Sequence, residues 1–315
     1  MKKRLSFFVA ALVAATAAFA QQAAYPPTIT LTTAMGTTIE MVLVEGGTFQ
    51  MGAQKQSRDG RNYDADASSD EGPVHTVYLP SFYIAKYETT NEVWSEVMGG
   101  DIDDDTKDFA KGGVKFPDAV RFVEQAADVF SFVPEGAAFD LPTEEQWEYA
   151  ARGGKEQEAH KYAGSDNVAD VAVYGGTTER PGKVGTRSPN SLGLYDMSGN
   201  AQEWTKSDYK EYPGGSPIAS APYERRVVRG GGVDSRRADL LRVSARAYFS
   251  TTSAMQYHGF RVVLNLPTAP SSLSSRLRRE SGAAPRLAVT RQGLTISTRD
   301  GKTVDLLGRP VGAAR

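Results

Sequence analysis

Leu141-Pro142-Thr143-Glu144-Glu145-Gln146-Trp147-Glu148-Tyr149-Ala150-Ala151-Arg152-Gly153-Gly154 carries the last helix that the sequence predicts in this chain. Thr143 is placed to cap a helix and Gln146, three residues on, to close a capping box, because each can satisfy a backbone N–H that the first turn leaves without a partner. Trp147 and Ala151 lie one turn apart and predict part of the buried face. Beyond this helix, from Gly153 to Gly232, the chain is rich in Gly, Pro, Asn and Ser. That composition predicts long structured loops, which need pinning by an ion or by a dense hydrogen-bond net.

Upstream the pattern is of short strands and two helices. Met41 to Val44 is an apolar strand, Glu45-Gly46-Gly47 a turn, and Thr48 to Met51 alternates like a half-buried strand. A polar loop over 54–72 precedes two strands, His75 to Leu79 and Phe82 to Ile84, separated by Pro80-Ser81. Thr89 and Glu92 predict a capping box for a helix that carries Val93, Trp94 and Val97 and stops at Gly99-Gly100. The acidic run Asp101 to Asp105 reads as a solvated loop. A second helix begins near Pro117, with Ala119, Phe122, Val123 and Ala126 on one face. Downstream, Arg226 to Val228 and Phe260 to Leu264 read as strands. The body is therefore α+β.

The ends differ from the body. Lys2, Lys3 and Arg4 precede a short apolar run and Ala18-Phe19-Ala20, the pattern of a secretory signal peptide over 1–20 that leaves Gln21 first. The run is too short to span a bilayer comfortably, so a chain that is not membrane-spanning after cleavage is expected. Residues 21–267 form the body, 268–282 a linker, and 283–315 a small tail with three short alternating stretches. Of the formal net charge of −2, the first twenty residues hold three cations and 268–315 nine cations against three acids, so the body carries −11. An acidic exported body argues against nucleic acid as a partner and admits hard cations. The 315 residues contain no cysteine. No histidine pair among His75, His160 and His258 has metal-ligand spacing, and no serine sits in a nucleophile elbow.

Several motifs in order carry a resemblance over roughly 40–265. They are Met41-Val42-Leu43-Val44-Glu45-Gly46-Gly47-Thr48-Phe49, Pro73-Val74-His75-Thr76-Val77, Tyr87-Glu88-Thr89-Thr90-Asn91, the helix quoted first, Asn190-Ser191-Leu192-Gly193-Leu194-Tyr195-Asp196-Met197, Gly199-Asn200-Ala201-Gln202-Glu203-Trp204, Arg229-Gly230-Gly231-Gly232 and Gly259-Phe260-Arg261. Together they resemble the formylglycine-generating enzyme (sulfatase-modifying factor) family. The resemblance implies an elaborated C-type-lectin-like fold with little regular secondary structure. It implies structural calcium held by side chains of Asp196 and Glu203 and carbonyls of Gly199 and Ala201. The alternative at those residues is a plain turn with a solvated Asp196 and a Glu203 bonded to the backbone. A second calcium site of the family would fall between about Asn167 and Gly176.

The family's oxidases hold copper on a cysteine pair, and Cu(I) selects such thiolates. The matching segment here places Ala238 at the second cysteine and Asp234 or Ser235 near the first, so no copper is expected. Arg242, Arg246 and Arg261 admit two readings. They tie loops to carboxylates, or with Asp234 and Ser235 they line a groove for an anionic or peptide ligand.

The expected function is an exported bacterial protein, periplasmic, cell-surface or extracellular, that lacks oxidase activity and serves as a calcium-stabilised binding or structural module. Its ligand would be a protein, peptide or glycan. An enzyme of the family with non-thiol chemistry is the second reading. A variable ligand-binding protein, with Leu241 to Tyr257 as the variable stretch, is the third. The tail, with Gly308-Arg309 and Val311, resembles the start of a type IX secretion signal; a disordered basic tail fits its composition equally.

Overall fold

The computed structural model describes residues 25–176, 180–219 and 223–267, together with the backbone of strands at 286–290, 293–297 and 303–305. The expected signal peptide and linker lie outside the described residues. The chain divides into two units, Met1–Leu266 and Pro267–Arg315.

The first unit contains β1 (Thr28–Thr32), β2 (Thr38–Val44), β3 (Gly47–Met51), β4 (His75–Leu79), β5 (Phe82–Ala85), β6 (Ala138–Asp140), β7 (Gln202–Asp208), β8 (Arg225–Arg229), β9 (Ala247–Ser250), β10 (His258–Gly259) and β11 (Val263–Asn265). A five-stranded antiparallel sheet runs β1-β2-β5-β11-β6, and a second sheet runs β10-β7-β8-β9. β3 and β4 pair separately. In the second unit, β12 (Arg286–Thr290), β13 (Gly293–Ser297) and β14 (Thr303–Asp305) form an antiparallel sheet at the three alternating stretches of the tail.

All four residues of β5 are buried, as expected for a strand covered on both faces. Their period of two divides them. Tyr83 and Ala85 enter one core with Leu31, Phe122 and Phe260. Phe82 and Ile84 enter another with Val44, Phe49 and Trp147. The Phe116–Val129 helix closes the first core through Ala119, Phe122, Val123 and Ala126, the face its spacing predicts. The Glu144–Ala151 helix closes the second. Among the described residues no helix is long and apolar enough to cross a membrane.

Three expectations are corrected. The cap of the Asn91–Met98 helix is Thr90, whose side chain accepts from Val93 N at 3.3 Å. Thr89 is buried and gives its N–H to Phe260 O at 2.9 Å, so it serves the core and not the helix end. The strand expected over Phe260 to Leu264 starts only at Val263, and a separate two-residue strand precedes Phe260. His258–Gly259 pairs in parallel with β7, whereas Val263–Asn265 pairs with β5 and β6. Phe260-Arg261-Val262 thus carries the chain from one sheet to the other. Strands β1, β6, β7 and β9 are not among those expected. β7 reads Gln-Glu-Trp-Thr-Lys-Ser-Asp, a polar string with a single β-branched residue.

The capping box at Thr143 forms. Its Oγ1 accepts from Gln146 N at 3.2 Å, and Gln146 Oε1 accepts from Thr143 N at 3.0 Å. Gln146 Nε2 also donates to Asn265 Oδ1 at 2.9 Å, fastening the helix start to β11. Thr143→Ala is expected to cost about 1 kcal/mol, seen as a lower urea midpoint at unchanged slope, with Thr143→Ser close to wild type.

Candidate functional site

Arg261, at the crossing between sheets, has no exposed surface, and neither has Glu203 in β7. Arg261 Nε and Nη2 grip Glu203 at 2.7–3.0 Å. Nη1 donates to the carbonyls of Ala85 and Lys86 at 3.1 and 3.3 Å, and Nη2 to Tyr195 O at 2.8 Å. Every nitrogen of the guanidinium is engaged. Glu203 Oε2 also accepts from Trp147 Nε1 at 2.8 Å, so both carboxylate oxygens are committed.

The turn before β7 is built from residues that tolerate left-handed backbone: Asp196 (φ 56°), Gly199 (φ 93°) and Asn200 (φ 59°). A side chain at 199 would put its Cβ 2.6 Å from Val173 O. The turn is then clasped by Glu88. Its Oε1 accepts from Ala201 N at 2.7 Å and its Oε2 accepts from Asn200 Nδ2. Asp196 Oδ2 accepts from Gly185 N at 2.7 Å, while Oδ1 is buried with no hydrogen-bond partner. Burial, with Asp196 and Glu203 adding like charge, pushes the Glu88 carboxyl well above the usual range. Burial likewise raises Asp196. Arg261 is the cation that acts on all three carboxylates.

Calcium fits this place in part. Three buried carboxylates face one guanidinium, and Asp196 Oδ1 is an acceptor without a donor; both favour a divalent cation. Asp196 and nearby carbonyls can supply oxygens, while both oxygens of Glu88 already accept from the turn. Glu203, one of the two expected side-chain ligands, is taken by Arg261 and Trp147. Among the described residues no three His, Cys, Asp or Glu side chains are grouped to hold a metal ion, so carbonyls would have to complete the shell. In the sequence Glu88 stands out only as part of a motif at a helix entry. Nothing in its neighbours' spacing announces that it reaches residue 200.

The other arginines repeat the device. Arg229 pairs with Glu148, lies 3.1 Å from Glu144 Oε1 and donates to the carbonyls of Val243 and Ala245 at 3.1 and 2.9 Å. Burial alone would raise the Glu148 carboxyl, but Arg152 and Arg229 hold it below its ordinary value. Arg242 holds Glu71 at 2.6–2.8 Å and Asp64 at 3.1 Å. Arg246 holds Glu144 at 2.7 and 2.9 Å. Arg242, Arg246 and Arg261 therefore reach inward to three different carboxylates instead of converging on one groove. Ser235 is buried, its Oγ accepting from Gly232 N at 3.1 Å, and Asp234 is half-buried beside it. Ala238 opens a short turn, Ala238–Leu241, and packs against the buried cluster of Tyr162, Val171, Ala172 and Leu241.

His258 is buried among Phe249, Trp204 and Tyr257, with ring centroids 4.3, 4.9 and 5.1 Å away. An open cavity of about 830 Å³ lies on the surface, walled by 109–112, 180–182 and Gln256.

Residues 28–266 match the sulfatase-modifying factor enzyme 1-like domain. The chain belongs to that family. It is 28% identical over 295 residues to "Inactive C-alpha-formylglycine-generating enzyme 2" of Bos taurus, covering 76% of this chain and 92% of the relative. It is 30% identical over 217 residues to "Chaperone protein LppX" of Paenibacillus barcinonensis, covering 52% and 70%. Among solved structures, Treponema denticola variable protein 1 superposes with a TM-score of 0.60 at 22% identity, over 76% of this chain and 99% of that one. PvdO from Pseudomonas aeruginosa gives 0.60 at 22%, over 77% and 100%. The fold is thus the C-type-lectin-like one of this family, mostly sheets and loops with few helices.

Two outcomes follow from the site. Arg229→Met leaves Arg152 as the one cation on Glu148 and removes the donors to the Val243 and Ala245 carbonyls, and is expected to cost about 1–3 kcal/mol in urea unfolding. Burial lowers the His258 pKa from 6.5 to about 4. The unfolded chain then binds a proton first, so stability is full above pH 6.5 and falls as pH drops toward about 4. Between pH 7 and 5 the raised Glu88 and Asp196 carboxyls act in the opposite sense in wild type and variant alike, so the difference in unfolding free energy between wild type and His258→Leu should shift against wild type as pH falls.

Proposed function

We propose that this chain is an exported, non-oxidase member of its family that works as a binding module, its central turn stabilised by calcium. The observation that carries the reading is the absence of any cysteine in the full sequence. A copper oxidase built on two thiolates has no ligands to use, and Asp234, Ser235 and Ala238 do not replace them. A relative matched over 92% of its length bears the name of an inactive enzyme, which agrees with this reading. The buried ion pairs support it too: Arg242, Arg246 and Arg261 are spent on holding loops. Gln256, within the stretch Leu241 to Tyr257, borders the 830 Å³ cavity, a size suited to a small ligand. Export rests on the charged and apolar start and on the Ala18-Phe19-Ala20 site.

Purified mature protein incubated with copper, oxygen and a sulfatase-type cysteine peptide should yield no aldehyde by mass spectrometry beyond a metal-only control. Turnover above that control overturns the non-oxidase reading. Calcium at a hundredfold excess over its dissociation constant should add about 2.7 kcal/mol of stability relative to chelator, and Asp196→Asn should remove the gain. Equal melting temperatures with calcium and with chelator overturn the calcium assignment.

A further inference from the structure

The body of this protein is strongly acidic, yet the described residues that wall the 830 Å³ cavity include two cations, Lys111 and Arg180, and no carboxylate. Nearby cations are paired: Lys107 with Asp104 at 3.5 Å and Lys183 with Asp108 at 3.0 Å. Lys111 and Arg180 have no carboxylate partner among the described residues. Arg180 is exposed at the rim. Lys111 is half-buried, its Nζ 5.5 Å from the Trp94 ring centroid. Burial and the charge of Arg180 lower its pKa. Two like charges in one concavity repel each other, and an anion between them relieves that repulsion.

The walls are fixed in advance. Ala110 N donates to Gly182 O at 2.9 Å, Lys111 N to Thr89 O at 2.8 Å, and Gly113 N to Gln256 O at 3.1 Å. Gly112 permits the closest approach: a Cβ there would fall 2.0 Å from Gln256 O and 2.9 Å from Pro181 Cδ. Phe109 and Pro181 give the same cavity an apolar side, and Asn91, Thr106 and Gln256 a polar one. Such a preformed site loses little to ordering when a ligand enters.

We propose that this cavity binds a small organic anion, its carboxylate or phosphate head held between Lys111 and Arg180 and its apolar body against Phe109 and Pro181. The assignment rests on the reading of the chain as a binding module and names the ligand class. Binding of phenyl phosphate, benzoate, inorganic phosphate and benzylamine to the mature protein, followed by calorimetry and by amide chemical shifts of residues 109–112 and 256, tests it. Phenyl phosphate or benzoate is expected to bind, with affinity falling as salt rises and dropping at least tenfold in both Lys111→Met and Arg180→Met, while benzylamine does not bind. Lys111→Met keeps an apolar stem over Trp94, and Arg180 is exposed, so both variants should fold. Undiminished affinity in the double variant, a preference for benzylamine, or no shift with any probe overturns the proposal. Inorganic phosphate binding as tightly as phenyl phosphate overturns the role given to Phe109 and Pro181. Each of these results leaves the outcome of the aldehyde assay untouched, so this assignment and the non-oxidase reading fail separately.

Discussion

The architecture depends on one buried ion pair, Arg261 with Glu203. Arg261 stands where the chain leaves one sheet for the other, and its guanidinium ties β7, the end of β5 and the Tyr195 carbonyl into a single unit. A carboxylate with no exposed surface is costly unless its charge and its lone pairs are both met. Glu203 is met by Arg261 on one side and the Trp147 indole on the other. Burying such a pair gains little by itself, because the desolvation penalty offsets the attraction. Breaking it leaves a bare charge in the interior. The pair therefore specifies where the two sheets join more than it adds stability.

The same device recurs wherever long loops converge. Arg229, Arg242 and Arg246 each take a carboxylate from a distant segment, Glu148, Glu71 and Glu144 respectively, and several also bind backbone carbonyls. A domain with long irregular stretches needs such cross-links, since its loops lack the repeating ladders that satisfy backbone groups elsewhere. The Glu88 clasp on the 199–201 turn is the carboxylate version, using a side chain to satisfy two N–H donors. There the balance of charge is incomplete, with three carboxylates against one guanidinium. That surplus is the physical ground for placing a cation or a proton at Asp196 and Glu88.

The helices were legible because their signals are local. The Thr143-Gln146 box and the apolar face of the Phe116–Val129 helix depend on residues three and four apart. The strand at Gln202–Asp208 was hidden because its buried Glu203 becomes tolerable only through Arg261, 58 residues on. The crossing at Phe260-Arg261-Val262 was hidden for a related reason: it alternates apolar and polar like the strand it leads into, and only the separate partners of β10 and β11 mark it as a connection. At the candidate site, the turn at Asp196 to Asn200 and its need for glycine could be read from residue types. The partner of Glu88 could not, since 112 residues separate it from Asn200. The cavity beside Lys111 was equally out of reach, being assembled from three segments that meet only in the fold.

The account stands on the coupling between Arg261 and Glu203, and a double-mutant cycle measures it directly. Urea unfolding of wild type, Glu203→Gln, Arg261→Met and the double variant isolates the pairwise term. The account predicts that each single change costs several kcal/mol and that the double variant recovers part of the loss, with a coupling energy of about 2–3 kcal/mol. Additive losses, with coupling near zero, would contradict the claim that this pair joins the two sheets.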